Sequence, residues 1–278
     1  MEKGMKKIKK FLVITLCAML ATAPTLTETA LAATTSVSQK SAAAAGKTQS
    51  VRKGWYTQKN GKKKYYRRGK YVTGFQKIGK YYYLFSRNGN MITRDTRNKN
   101  KNILYYINEK GQVEGLKKGS DYYSPNGRRL SGAKLDEFQA YQNARKIMAR
   151  ITTSRMSKKK KLEVCFRWVM SKPYHTWRRF DEGGEAWYAV HANDHFVRGS
   201  GDCMADASAF AYFAKALGYK NVYVCTNGYR NNNRAHGWTE INGRVYDPYL
   251  AETSGFLGYY GIKYSRYWMS RVMHVKIA

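Results

Sequence analysis

The sequence predicts an α+β protein, with helices packed on an antiparallel sheet and an N-terminal all-β region of repeated hairpins. Three observations carry that reading. Tyrosine-rich segments recur about every 20 residues between 51 and 132, closed by turn signals such as Asn88-Gly89 and Asn126-Gly127. From Ala133 the repetition stops and apolar residues recur at helical spacing. Farther on, Asn242-Gly243 joins two strand-like runs, the mark of a two-residue hairpin.

Residues 1–32 read as a secretory signal peptide. Five lysines precede an apolar run from Phe11 to Ala21, and Ala30-Leu31-Ala32 is a small-x-small cleavage pattern. The apolar run is short for a membrane span, so no span is expected after cleavage. Residues 33–50, built of Ala, Thr, Ser, Gln and Lys, read as a flexible linker. The formal net charge is +33, and about +30 remains once the leader is subtracted. Between 51 and 132 stand 21 Lys and Arg against four Asp and Glu. Such a surface calls for an anionic partner. In an exported protein that partner is a cell-wall polymer of teichoic-acid type and not nucleic acid.

The repeats occupy 51–132. GWYTQKNGKKKYYRRGKYVT begins at Gly54 and GFQKIGKYYYLFSRNGNMIT at Gly74, with a degenerate copy from Arg94 and a shortened one from Gly115. A single hairpin cannot bury an aromatic face alone, so the copies should stack in series. Trp55, Phe75, Tyr82 and Tyr83 are the candidate ligand-binding aromatics. This region resembles the cell-wall-binding repeats of Gram-positive surface proteins, whose choline-binding members are best known. The resemblance rests on Gly54-Trp55, Gly74-Phe75 and Lys80-Tyr81-Tyr82-Tyr83 followed by Asn88-Gly89. It implies attachment to the cell wall or cell surface. Trp55 is the single tryptophan here, and the dense Lys and Arg favour an acidic glycopolymer over cationic choline.

Residues 133–278 form the second predicted domain. Leu135, Phe138, Ile147 and Ile151 fit one helix. Leu162, Cys165, Phe166 and Val169 fit another that starts near Ser157 and ends before Pro173. Residues 174–200 read as a long loop. A helix from about Cys203 to Leu217 follows, stopped by Gly218. A strand from Asn221 to Thr226 and the Asn-Gly hairpin complete the core.

The leader aside, the cysteines are Cys165, Cys203 and Cys225, so at least one stays unpaired. Cys165 and Cys225 read as two separate thiols, with a disulfide between them as the alternative. Cys203 opens a helix capped by Asp202 or Ser200, where the unpaired N–H groups and the helix dipole favour a thiolate. Those N–H groups, that of Cys203 included, also suit an oxyanion. In AHGWTEINGRVYDPY (235–249) a two-residue turn pairs Ile241 with Arg244. Trp238 then lies opposite Asp247, and His236 diagonally from it, close enough for a carboxylate–imidazole hydrogen bond. Glu240 shares that face but lies roughly 13 Å along the strand from His236. A nucleophile, a base and an orienting carboxylate are the parts that cysteine catalysis requires.

GDCMADASAFAYFAKALGY and RAHGWTEINGRVYDPYL closely resemble the transglutaminase-like superfamily, over about residues 135–255. The resemblance implies a papain-like core with Cys203 as nucleophile, His236 as general base and acid, and Asp247 orienting it. The implied activity is an acyltransferase or hydrolase acting on an amide or peptide bond of a protein or peptide substrate. The reaction would pass through a thioester that either an amine or water resolves. No cofactor and no metal is implied; His191, Asp194 and His195 read as polar residues near the cleft. Trp187 is one candidate for a second oxyanion donor. The competing expectation is a surface adhesin or wall-polymer-binding protein without turnover.

Overall fold

Paired tyrosines and glycine turns organise the N-terminal strands into three small antiparallel sheets in series. The computed structural model describes residues 52–232 and 234–278; the expected signal peptide and linker lie outside the described residues. The first sheet holds β1 (Gly54–Thr57), β2 (Lys63–Arg67) and β3 (Lys70–Tyr71). The second holds β4 (Gly74–Ile78) and β5 (Tyr81–Phe85). The third merges the last two copies into β6 (Thr96–Asn98), β7 (Ile103–Ile107), β8 (Val113–Lys118) and β9 (Asp121–Tyr123).

The stacking explains the period. Trp55 packs its ring 5.2 Å from Tyr65 and 5.0 Å from Tyr83 of the next sheet. At Gly89, with φ +71°, a Cβ would stand 2.3 Å from the Tyr71 ring, so this turn must be glycine to receive the preceding unit's tyrosine.

The second part contains five α-helices among the described residues. These are α1 (Gly132–Ile151), α2 (Lys158–Met170), α3 (Trp187–Arg198), α4 (Cys203–Ala216) and α5 (Pro248–Ser254). They accompany an antiparallel sheet of β10 (Val222–Thr226), β11 (Gly237–Ile241), β12 (Arg244–Tyr246), β13 (Tyr260–Lys263) and β14 (Met273–Lys276), in the order β13-β12-β11-β10-β14. The chain is therefore mixed α and β with antiparallel sheets. No helix among the described residues is long and apolar enough to cross a membrane.

Helix α4 is the centre of the core. Met204 to Ala214 are all buried, and their alanines let α3 on one side and β11 on the other come close. Phe166 of α2 packs edge-on against Phe210, with centroids 4.9 Å apart. Ser157 caps α2, its Oγ accepting from the Lys160 N–H at 3.2 Å. The apolar stripe of Leu162, Cys165, Phe166 and Val169 is buried as expected.

One expectation fails. Residues 187–198, expected as loop, form helix α3; its buried face includes His191, Asp194 and His195, so polar residues interrupt the apolar period that marks a core helix. Leu135, Phe138, Ile147 and Ile151 all lie in α1 as expected, and Phe138 docks on the repeats. Its ring lies 5.3 Å from Tyr106 and 6.0 Å from Tyr122, and a Cβ at Gly115 would stand 2.6 Å from it. Arg145 reinforces this junction, donating to the Ile107 carbonyl at 2.7 Å.

Candidate functional site

Local sequence places Cys203 in the first turn of α4. Asp202 is the cap, its Oδ1 accepting from the Ala205 N–H at 3.0 Å. Ser200, the alternative cap, is engaged elsewhere: its Oγ accepts from Trp177 Nε1 at 3.0 Å. The Cys203 side chain is half-buried, with Sγ 3.9 Å from the Ala235 carbonyl oxygen.

The hairpin delivers the other two groups. Asn242 and Gly243 have φ of +51° and +75°, and the register pairs Ile241 with Arg244, Glu240 with Val245 and Thr239 with Tyr246. One step further puts Trp238 opposite Asp247. His236 Nε2 stands 2.6 Å from Asp247 Oδ2, which leaves Nδ1 as the ring's other polar atom. Asp247 is fully buried. Its Oδ2 also accepts from the Tyr267 hydroxyl at 2.7 Å, and its Oδ1 accepts from the Leu250 N–H at 3.0 Å, capping α5.

Three residues that the sequence reading passed over fix the position of His236: Asn227 from the end of β10, and Gly237 and Thr239 where β11 meets α4. Asn227 accepts from the His236 N–H at 2.7 Å and donates its own N–H to the His236 carbonyl at 3.1 Å. At Gly237 a Cβ would meet Met204 Sδ at 2.7 Å and Met204 Cα at 3.3 Å. Glycine at that position lets β11 approach the first turn of α4, which sets His236 beside Cys203. Thr239 fastens the same approach through a 2.7 Å hydrogen bond to the Ala207 carbonyl. The Ala-His-Gly order carried this signal.

Burial works against a charged His236. The hydrogen bonds and charges of Asp247 and Cys203 outweigh it and raise the imidazole from its usual value to about 10. The ring is therefore cationic at neutral pH. This arrangement can open an amide by thiolate attack and protonate the departing amine.

Cys203 and His236 border a cleft of about 290 Å³ lined by Tyr174, Arg178, Arg234 and Tyr249, among others, with Asp247 buried behind His236. Tyr174 is exposed, its ring 5.2 Å from that of Tyr249. Its hydroxyl is pushed up to about 12 by partial burial and by the neighbouring Cys203. Trp187, weighed as an oxyanion donor, is buried at the start of α3 against Phe180, 4.8 Å away, and does not line the cleft.

His191 and His195 lie behind the cleft rather than beside it. Burial lowers them to about 4 and about 3, so both are neutral at pH 7. His195 Nδ1 is 3.1 Å from Asp206 Oδ1, while Asp194 pairs with Arg178 and Arg198. Glu240 accepts from Trp238 Nε1 at 3.2 Å and from Arg271 at 2.8 Å. Glu240, Cys225 and His274 bring one ligand-type atom each within 4.8 Å of one another, a grouping across three strands that the sequence reading missed. Cys165, Cys203 and Cys225 are all free thiols.

In the repeats, the four candidate aromatics divide. Trp55 and Phe75 are partly exposed, and Tyr83 is buried. Phe75 stacks on Tyr82 with centroids 5.5 Å apart. Tyr82 lines a cleft of about 610 Å³ with Lys77, Lys80, Tyr81 and Asn126. The chain's own cations cover several ring faces: Lys64 over Tyr71 at 4.4 Å, Lys80 over Tyr81 at 5.3 Å and Lys117 over Tyr122 at 4.9 Å.

No family model and no curated protein matches the chain. Among solved structures, it is similar to the choline-binding domain of Spr1274 of Streptococcus pneumoniae. That match is 26% identical with a TM-score of 0.20, and covers 22% of this chain and 92% of that one. Choline-binding protein F of the same organism is 26% identical with a TM-score of 0.22, and covers 29% of each chain. CbpJ, also of S. pneumoniae, is 28% identical with a TM-score of 0.23 and the same coverage.

Proposed function

We propose that the chain is a secreted, wall-associated cysteine enzyme acting on amide or peptide bonds. Its repeats hold it to an anionic polymer, and Cys203, His236 and Asp247 carry the chemistry. The observation that carries the proposal is the 2.6 Å contact between His236 and Asp247, on a strand held against the helix turn that bears Cys203. A buried carboxylate that orients an imidazole beside a thiol at a helix N-terminus has no evident packing purpose. It is the constellation nucleophilic catalysis needs.

In the proposed cycle the Cys203 thiolate attacks the carbonyl carbon, and the Cys203 N–H and the Tyr174 hydroxyl receive the oxyanion. As the carbon–nitrogen bond breaks, His236 transfers its proton to the amine and a thioester remains. An entering amine or water then gives a proton to His236 and attacks the thioester, which expels the thiolate. Of the two outcomes, hydrolysis or peptide remodelling is preferred. Asp247 holds the ring through both halves.

For the repeats, the basic and aromatic cleft around Tyr82 suits an anionic glycopolymer. Choline, the ligand named for the similar domains, is cationic, and lysines already lie over several of the faces it would use. A surface-binding protein without turnover is the second reading. Its supporting observation is that same cleft, about 610 Å³ against about 290 Å³ at Cys203.

Wild type and Cys203→Ala, each incubated with a glutamine-containing protein and a labelled amine, separate the readings. Incorporation that requires Cys203 supports transamidation; fragments or deamidation that require it support hydrolysis. Identical behaviour of both proteins, with wall peptides included among the substrates, sinks the catalytic proposal and leaves the binding one.

A further inference from the structure

The cleft at Cys203 is walled by guanidinium groups, and their pairing is uneven. Arg178 and Arg179 both line it, but each has a carboxylate of its own: Arg178 pairs with Asp194 and Arg179 with Asp181. Glu182 is turned back onto the Arg179 N–H at 2.9 Å. Arg234 also lines the cleft and is exposed. Among the described residues its guanidinium has no carboxylate partner, although it stands two positions before His236.

Arg230 adds to the same end of the molecule. One of its terminal nitrogens donates to the Asp181 carbonyl at 2.6 Å, while its Nε is buried without a partner. Burial, with Arg178 and then Arg230, holds His191 below its ordinary range against the opposing charge of Asp194. Among the described residues, the one acidic residue lining the cleft is Asp202, which is buried and committed to capping α4. Tyr174 and Tyr249 also line the cleft and form an aromatic wall, their centroids 5.2 Å apart.

We infer that this cleft selects anionic acyl donors: peptides or amides with a free carboxylate within a residue or so of the reacting carbonyl. Arg234 is the principal contact and Arg230 supports it. The inference rests on the proposed role of Cys203 and adds the class of substrate. An aromatic wall and an unpaired guanidinium accept a carboxylate-bearing peptide, whereas an amine-bearing acyl donor meets only like charge.

Two small alkylating agents test this without any known substrate. Iodoacetate and iodoacetamide differ by one negative charge and form the same carbon–sulfur bond, with iodide leaving. Their rates at Cys203 are read by peptide mass spectrometry at low ionic strength, in the folded chain and in the chain unfolded in urea. The iodoacetate-to-iodoacetamide ratio should be about tenfold higher in the folded protein. Arg234→Gln should lower it several-fold, the effect of one nearby charge in a watery cleft. Lys101→Gln, an equal loss of charge on an exposed loop of the repeats, should leave it unchanged.

If Lys101→Gln lowers the ratio as much as Arg234→Gln does, the attraction is that of the whole chain and the subsite is refuted. Equal ratios in the folded and unfolded chain, with Cys203 still fast toward iodoacetamide, refute the subsite but keep the nucleophile. A Cys203 that neither reagent modifies in the folded state overturns both.

Discussion

Asp247→Asn should separate the stability of the site from its reactivity. Three donors converge on Asp247: the His236 ring and the Tyr267 hydroxyl on Oδ2, and the Leu250 N–H on Oδ1. A carboxylate accepts all three, but an amide has a single oxygen. If that oxygen stays with Leu250 to cap α5, the amide N–H group faces His236 and Tyr267. The tyrosine hydroxyl can turn and accept. The imidazole must then offer a lone pair at Nε2 and carry its proton on Nδ1, which leaves the ring neutral. Exchanging two bonds to a charged acceptor for neutral ones costs about 2 kcal/mol, or about 4–8 °C in Tm for a unit of this size.

The effect on the thiol is larger. Without Asp247, burial acts unopposed on a ring otherwise raised to about 10. The charged fraction at pH 7.5 falls from nearly all to about a tenth or less. Alkylation of Cys203 by iodoacetamide should slow at least tenfold, while thermal unfolding stays cooperative. An unchanged alkylation rate, with the His236 resonance titrating as in wild type, would refute the reasoning.

Other outcomes follow from the same geometry. Tyr174→Phe keeps the ring against Tyr249 and removes only the hydroxyl, so kcat should fall about a hundredfold with KM little changed; equal activity removes Tyr174 as the second oxyanion donor. Gly237→Ala forces β11 off the first turn of α4, and Cys203 reactivity should drop about tenfold at a stability cost of about 1–2 kcal/mol. A variant that reacts at the wild-type rate contradicts the close-approach argument. Because the folded-state pKa of His236 is raised, its contribution is complete below about pH 6 and is lost as pH rises toward about 10. The stability difference between wild type and His236→Gln should therefore shrink by a few kcal/mol from pH 6 to 10, measured by urea unfolding. A difference that is flat across that window argues against the raised imidazole.

What could be read in the sequence depended on how locally each feature is encoded. The Asn242-Gly243 turn sets the Ile241–Arg244 register within a few residues, and so the approach of His236 to Asp247. Helix α2 announces itself by the Ser157 cap and a clean apolar stripe. Helix α3 does not, because the residues it turns inward include His191, Asp194 and His195; Asp194 pairs with Arg178 and Arg198, and His195 faces Asp206 of α4. Tyr267 was also unreadable: its bond to Asp247 spans 20 residues of chain and depends on how the segment after β13 returns. Phe138 was readable as a helical residue, but its docking on Tyr106 was not, because a helical period does not say what the helix packs against. Gly237 was visible as a residue, but its purpose appears only once Met204 stands opposite it.

The central claim is that Cys203 forms an acyl-enzyme with the help of His236. Brief reaction with an activated ester such as p-nitrophenyl acetate, followed by acid quench and peptide mass spectrometry, tests it most directly. One acyl group per chain should sit on Cys203 in the wild type, with one equivalent of p-nitrophenolate leaving in a single burst. It should be absent from Cys203→Ala and strongly reduced in His236→Ala. Acylation confined to lysines, or an equal yield at Cys203 without His236, would contradict the account.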